Sequence, residues 1–226
     1  MPFTPWHTRS VNFFGHVAAA SWRGASPAFA LGAMLPDLTA MTGTRPARIE
    51  AAEVSSGVAF HHTTDAAFHD LEAFVRLCAS TSSGLRARGL PRGSARGAAH
   101  VAVELALDGV LVGDPGAAEL YVSALADDAA AGAIVLEGES RRFFALRDEL
   151  ASRGIPAHYQ SPAFVARAVR RALSRRPRLA LLPGHEAILE AELPAHLQRV
   201  RAAAPGIFAD LRASLARPKA RAPVSE

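Results

Sequence analysis

Apolar residues recur every three or four positions along most of the chain, and glycine and proline fall between these periodic segments. No segment alternates apolar and polar residues with period two, so the pattern predicts an all-α, single-domain protein. Ser26-Pro27 is typical of a helix start, with serine as the N-cap and proline in the first helical position. The expected helices are Val11–Trp22, Ser26–Leu35 ending at Pro36-Asp37, Gly57–Cys78, a segment around His100 ending near Gly113, Ala117–Ala131, Glu139–Arg153, Pro162–Ser174, Leu181–Ala203 with or without a break at Pro194, and Ile207–Ala216.

The segments between these helices set the expected domain boundaries. Residues 1–10 are predicted to be an irregular leader, residues 11–216 one helical domain, and residues 217–226 a disordered basic tail. Gly43–Pro46 is expected to be a turn, and Arg48–Ser55 a short helix or a loop. Ser80–Arg96 is rich in serine, glycine and arginine, which predicts a mobile connection.

Two of the apolar helices carry polar stripes of the same spacing. His61, Asp65 and His69 lie at i, i+4 and i+8 in one helix, and a later helix repeats the spacing with His100, Glu104 and Asp108. At about 3.6 residues per turn, residues four apart stay on one face. Because buried imidazoles and carboxylates need partners, the stripes indicate a metal ion shared between the two helices.

His16 and Asp37 are two further polar residues in strongly apolar surroundings. With the two stripes they form a mixed imidazole and carboxylate set, which suits Mn, Fe or Zn, whereas Mg prefers oxygen alone. Other interpretations stay open at this point. His16 is equally typical of a hydrogen-bonded core histidine and Asp37 of a turn cap, and amphipathic helices contain i, i+4 polar pairs without binding a metal.

Charge and cysteine content narrow the class of protein. The formal net charge is +4, Lys219 is the only lysine, and the tail after Ala216 carries three of the basic residues. The body is therefore only mildly basic, and nucleic acid is not an expected partner. Cys78 is the only cysteine, so it is interpreted as a core thiol in a protein without internal disulfides. With no apolar run long enough to span a membrane, the protein is expected to be cytoplasmic.

Five short motifs occur in a characteristic order: NFFGH, LGAMLPD, GVAFHHTTD, VELALDGVL and ALSRRPRL. In this order and spacing, which covers approximately Val11 to Leu215, the chain resembles the acyl carrier protein phosphodiesterase family. That resemblance implies an all-helical, HD-like metal hydrolase fold. It also implies hydrolysis of the 4′-phosphopantetheine phosphodiester of holo-acyl carrier protein, an acidic partner, with a divalent metal that is usually manganese, Fe²⁺, Zn²⁺ or Mg²⁺ being alternatives.

The metal ligands and the arginines named below are implied by the resemblance, whereas the roles of His62, His69 and His100 are hypotheses about the reaction itself. Either His62 or His69 would protonate the departing alkoxide, since an unprotonated alkoxide is a poor leaving group. His100 and the arginines of the last motif would contact the substrate, although a cation-rich helix end followed by proline explains these arginines as well. The implied metal ligands are His16, Asp37, His61, Asp65, Glu104 and Asp108, and the candidate substrate-binding residues are His100, Arg175, Arg176 and Arg178.

The chain departs from the family pattern at two places. Gly109 stands where a histidine normally follows the last aspartate, and His62-Thr63-Thr64 replaces the usual pair of arginines. These departures leave two alternatives to the carrier-protein substrate. One is a phosphohydrolase acting on another small or lipid phosphodiester, and the other is an inactive helical binding module on the same scaffold.

Overall fold

The structure is a computed structural model that describes residues 13–174 and 176–217. It confirms a mostly helical protein, with one small sheet in addition. Across these residues no helix is both long and apolar enough to cross a bilayer. The elements are α1 Phe13–Ser21, α2 Pro27–Thr42, β1 Arg45–Ile49, α3 Ala52–His69, α4 Glu72–Ala87, α5 Arg92–Leu111, α6 Pro115–Ala126, α7 Asp128–Gly132, β2 Ile134–Glu137, α8 Ser140–Arg153, a 3₁₀ helix Ala157–Gln160, α9 Pro162–Ser174 and α10 His185–Ala216.

Helix α5 runs through the middle of the core. Residues 101–109 are all buried, and α1, α4, α9 and α10 pack around them. Most of these positions are Ala, Val or Leu, whose burial supplies the main stabilisation of the fold. Glu104 and Asp108 are the exceptions, because they place two carboxylates in the core at 1% and 2% exposure.

Helices α2 and α3 cross with their backbones in direct contact. A Cβ atom added to Gly32 would lie 2.1 Å from the carbonyl oxygen of Val54, and one added to Gly57 would lie 2.1 Å from the carbonyl oxygen of Phe29. No side chain fits at either position, so glycine is required at both. The close approach brings His61 of α3 against the carbonyl oxygen of Ala33 in α2.

The expected end of α2 at Pro36-Asp37 is wrong. The helix continues to Thr42 with Pro36 inside it and ends at Gly43, whose φ of 71° is the left-handed conformation that glycine adopts readily. Proline removes one helical hydrogen bond, but the burial of Leu38 and Thr39 holds the following turn in the helix. Asp37 therefore lies within α2 and not at the end of the helix.

The predicted helix Gly57–Cys78 is also wrong, because it is two helices, α3 and α4, separated at Asp70 and Leu71. Ser80–Arg96 is not a mobile connection but contains the end of α4 and the start of α5. Its small polar residues serve packing against α10, since the Thr81 hydroxyl pairs with Nδ1 of His196 at 2.7 Å. The composition of this segment predicted a loop, but its packing against α10 stabilises helical structure despite the weak local helix propensity.

The antiparallel pair β1 and β2 was not predicted. Arg45 pairs with Glu137 and Ile49 with Ile134. Four of the five β1 residues are exposed, so the strand lacks the alternation that marks one buried face. The expected turn at Gly43–Pro46 and the short helix or loop at Arg48–Ser55 are replaced by β1 and the start of α3.

The later helices are partly as predicted. Helix α9 has the expected bounds and α8 begins one residue late, but Ala117–Ala131 is two helices, since Asp127 ends α6 and caps α7. The two predicted C-terminal helices form one helix, α10, with Pro194 and Pro205 inside it. The predicted leader 1–10, and the predicted tail from residue 218 onward, lie outside the described residues.

Replacing Gly57 by alanine is expected to destabilise the protein by at least about 2 kcal/mol, because the added methyl group forces α2 and α3 apart. Gly206→Ala is the matched control, since a Cβ atom at this helical position meets no atom within 4 Å among the described residues. It should stabilise by about 0.5 to 1 kcal/mol. Urea unfolding measures both changes, and equal stability of the two variants would contradict the proposed contact.

Stability is expected to rise with pH because of His196. Burial, with the charge of Arg199 as a smaller cause, lowers the pKa of His196 from 6.5 to about 4. On acidification the unfolded chain binds a proton at His196 at a higher pH than the folded protein does. The contribution of neutral His196 to the free energy of unfolding is therefore complete above pH 6.5 and is lost as the pH falls toward 4. Between pH 7.5 and 4.5 the loss should be about 2 to 3 kcal/mol larger in the wild type than in His196→Gln. Identical pH dependence of urea unfolding in the wild type and in His196→Gln would show that His196 does not cause the loss of stability.

Candidate metal centre

Three buried side chains from three helices meet at one point, which we call the inner cluster: His16 of α1, Asp37 of α2 and His61 of α3. They are 4%, 3% and 6% exposed. One ligand atom from each lies within 4.8 Å of the other two. The structure therefore brings together residues that are far apart in the sequence and that were predicted as ligands.

Hydrogen bonding leaves the inner cluster with unpaired polar atoms. The Nδ1–H of His61 donates to the carbonyl oxygen of Ala33 at 2.9 Å, which leaves a lone pair on Nε2. His16 Nε2 and Asp37 Oδ2 lie 3.9 Å apart, too far for a hydrogen bond. Neither atom has another partner within residues 13–174 and 176–217. Since unpaired buried groups are costly, a divalent cation fits this set of donors well.

Asp108 joins the inner cluster to the start of α1. Its carboxylate accepts hydrogen bonds from the backbone N–H groups of Phe14 and Gly15. A Cβ atom at Gly15 would lie 2.8 Å from Asp108 Oδ1, so glycine makes room for this contact. The other oxygen, Oδ2, has no hydrogen-bond partner in the described part of the chain and is available as a ligand.

Without a cation, burial favours the uncharged form of each side chain at the inner cluster. Burial, with the nearby His61, lowers the pKa of His16 to about 3, and burial also lowers the pKa of His61. Burial and the negative charge of Glu104 hold the pKa values of Asp37 and Asp108 well above the usual range. A metal ion would therefore compete with protons for these two carboxyl groups, so its affinity should increase with pH.

A second group, the outer cluster, consists of His69, His100 and Glu104. Oε1 of Glu104 lies 3.2 Å from Nε2 of His69 and 3.0 Å from Nε2 of His100, and the two Nε2 atoms are 3.3 Å apart. The side chain of Glu104 is fully buried, whereas those of His69 and His100 are 28% and 23% exposed. The outer cluster therefore borders solvent.

Without a cation the outer cluster is charged. Burial opposes the protonation of His69, but hydrogen bonds with Asp65 and Glu104 outweigh it and raise the pKa of His69 to about 10. Burial would raise the pKa of Glu104, yet the charge and hydrogen bond of His100 and the contact with His69 lower it to about 2. Asp65 shows the same balance, since the hydrogen bond and charge of His69 lower its pKa against the effect of burial.

A small cavity is lined by one residue of each cluster, His16 and Glu104. It measures about 30 Å³, and Thr64, Asp65 and Asp108 also contribute to its lining. Oε2 of Glu104 is a further buried atom without a hydrogen-bond partner inside the described ranges. The stripes predicted from the sequence thus divide between two neighbouring clusters instead of meeting at one ion.

Packing explains why glycine, and not the histidine of the resembled family, stands at position 109. A Cβ atom at Gly109 would lie 2.7 Å from the carbonyl oxygen of Tyr159, and the side-chain amide of Gln160 donates to the carbonyl oxygen of Gly109 at 3.0 Å. The 3₁₀ helix therefore occupies the space that a histidine side chain would need. Sequence reasoning could not detect this contact, because it joins positions about fifty residues apart.

The other predicted site residues lie outside the clusters. His62 is exposed and touches His61 only ring to ring, at 5.3 Å between centroids. Arg176 and Arg178 line a groove of about 1880 Å³, and Arg175 lies outside the described residues. The groove also contains functional candidates that the sequence analysis missed, since they follow no local motif: Tyr121, Arg153, Tyr159 and Arg171.

Comparisons with protein-family models, with curated protein sequences and with solved structures find no match to this chain. The function is therefore inferred from the geometry of the two clusters. Their donors, imidazole nitrogens and carboxylate oxygens, suit Zn²⁺, Fe²⁺ or Mn²⁺.

Divalent metal is expected to stabilise the protein, and Asp37→Asn should reduce that effect. At a hundredfold excess over Kd, one ion adds about 2.7 kcal/mol to the free energy of unfolding. Because burial raises the pKa of Asp37 and so favours its protonated form, asparagine is a close mimic, and the metal-free variant should keep its stability within about 1 kcal/mol. Thermal unfolding with and without Mn²⁺ or Zn²⁺ measures this. Asp210→Asn, an exposed carboxylate on α10, is the control, and an undiminished metal effect in Asp37→Asn would contradict the assignment.

Proposed function

We propose that the chain is a metal-dependent phosphodiesterase whose centre is the inner cluster together with Asp108. The observation that carries the proposal is a group of buried ligand atoms with no hydrogen-bond partner among residues 13–174 and 176–217: both ring nitrogens of His16, Oδ2 of Asp37 and Oδ2 of Asp108. A bound divalent ion polarises a phosphoryl oxygen and lowers the pKa of water, which is the chemistry that diester hydrolysis needs.

The residues of the chain hold and orient this centre. His61 keeps its Nε2 lone pair available because Nδ1 donates to Ala33, and Asp108 is fixed by the first turn of α1. The apolar wall of the neighbouring cavity, formed by Phe68, Leu107 and Leu111 among others, limits access of bulk water. The assignment of His62 or His69 as proton donor stays a prediction.

The large groove supports a substrate with an extended arm. Its floor contains Tyr121, whose hydroxyl has no hydrogen-bond partner in the described chain and whose pKa is raised by burial and by the charge of Asp108. Its lining includes Arg153, Arg171, Arg176 and Arg178. A groove of about 1880 Å³ with these cations suits an anionic substrate larger than a typical small ligand, for which pockets of roughly 300 to 1,000 Å³ are usual.

These features fit the substrate implied by the resemblance to acyl carrier protein phosphodiesterases. In that proposal the phosphodiester lies at the inner cluster, the pantetheine arm follows the groove, and the arginines face the acidic carrier protein. The HD-like helical fold and a preference for Mn²⁺ belong to the same proposal.

Hydrolysis of bis-p-nitrophenyl phosphate by the Mn²⁺-loaded protein tests the reaction class. Asp37→Asn and Asp108→Asn should each lower kcat/KM by about 100-fold or more, since both remove a predicted ligand. Asp210→Asn should keep the wild-type rate. Mass spectrometry of holo-acyl carrier protein then tests the substrate, with loss of the phosphopantetheine group expected. If no diester is hydrolysed by metal-loaded protein, or if Asp37→Asn is as active as the wild type, the proposal is wrong.

A further inference from the structure

The donor atoms of the outer cluster form a nearly equilateral triangle. Its sides, between Nε2 of His69, Nε2 of His100 and Oε1 of Glu104, are 3.0, 3.2 and 3.3 Å. Ligand atoms bonded to one ion at about 2.0 to 2.2 Å, with angles between about 90° and 110°, lie about 2.8 to 3.6 Å apart. All three sides fall within this interval.

The two imidazoles are oriented toward a common point. Their planes differ by only 4°, and their centroids are 5.0 Å apart, whereas the two Nε2 atoms are 3.3 Å apart. The ring tips therefore converge beside Glu104. Phe74 contacts both rings edge to face, at 5.2 Å from His69 and 5.4 Å from His100, and holds this arrangement.

The tautomer of His69 favours a cation at this point. Its Nδ1 lies 2.9 Å from the carbonyl oxygen of Asp65 and 3.3 Å from Asp65 Oδ1, so Nδ1 carries a hydrogen and donates it. Nε2 faces the carboxylate of Glu104 at 3.2 Å, and without metal a proton lies between them. A proton bridges only one side of the triangle, whereas a metal ion satisfies all three donors.

We propose that the outer cluster binds a second divalent cation through His69, His100 and Glu104. Two imidazoles and one carboxylate are a set that Zn²⁺ accepts, with a coordination position left for water or substrate. Partial exposure of both histidines gives the ion a path from solvent. Glu104 also lines the small cavity together with His16 and Asp108, and its Oε2 has no hydrogen-bond partner in the described ranges, so the two cation sites would share this cavity.

A second cation changes the role of His69, and this consequence rests on the proposed function. As a ligand, His69 is not the proton donor to the leaving group. In centres with two metals about 3.5 to 4 Å apart, one ion stabilises the attacking oxygen and the other the leaving oxygen. If both sites held ions at such a spacing, the substrate class favoured would be a phosphoester, since each ion would stabilise one oxygen of the displacement.

Metal stoichiometry tests the inference without any substrate. The full-length metal-free protein is titrated with Zn²⁺, and bound zinc is counted by elemental analysis after removal of free ion. Two ions per chain are expected for the wild type, one for His100→Gln and one for Asp37→Asn. His158→Gln removes an exposed histidine of the 3₁₀ helix and should still bind two.

Substitution with Co²⁺ gives an independent measurement. In Asp37→Asn the remaining Co²⁺ should show visible absorption typical of low coordination with nitrogen ligands, and the additional change His69→Gln should abolish it. Circular dichroism confirms that each variant is folded. One zinc per chain in the wild type, or two in folded His100→Gln, would overturn the inference.

The result is separable from that of the activity assay. Two ions with no hydrolysis of any diester would reject the proposed function and keep the second site. One ion with diester hydrolysis would reject the second site and keep the proposed function.

Discussion

The contact between the backbones of α2 and α3 at Gly32 and Gly57 determines the geometry of the metal centre. It sets the carbonyl oxygen of Ala33 within hydrogen-bond distance of His61, and so fixes the tautomer of that histidine. The same crossing holds Asp37 within reach of His61. Tight helix packing through glycine thus replaces the shell of polar residues that often orients metal ligands.

The two clusters differ in the charge of their side chains because they are buried to different degrees. The inner cluster is almost completely removed from water, so without a cation burial raises the pKa values of its carboxyl groups, lowers those of its histidines and favours the uncharged forms. The outer cluster borders solvent and keeps its charges, because His69, Asp65 and Glu104 compensate one another. The protein therefore contains two neighbouring sets of similar ligand atoms, of which one favours uncharged and the other charged side chains without a cation.

Local periodicity predicted the candidate residues but not their grouping. The i, i+4, i+8 spacing correctly placed His61, Asp65 and His69 on one helical stripe, because that depends only on helix geometry. Which cluster each residue joins depends on how α3 packs against α1, α2 and α5, and the sequence contains no local signal for that. The same limit explains why α2 and α10 continue through proline, and why Ser80–Arg96 is helical, since packing outweighs local propensity in each case.

Helix α5 supplies His100 and Glu104 to the outer cluster and Asp108 to the inner centre, and the Asp108 carboxylate accepts two backbone hydrogen bonds from the first turn of α1. One inserted residue rotates everything after it by about 100°. An insertion between His100 and Asp108 would therefore separate both groups of ligands and detach α1 in a single step. Changes in length during the evolution of this protein should be confined to segments such as β2 to α9, which carry none of these ligands.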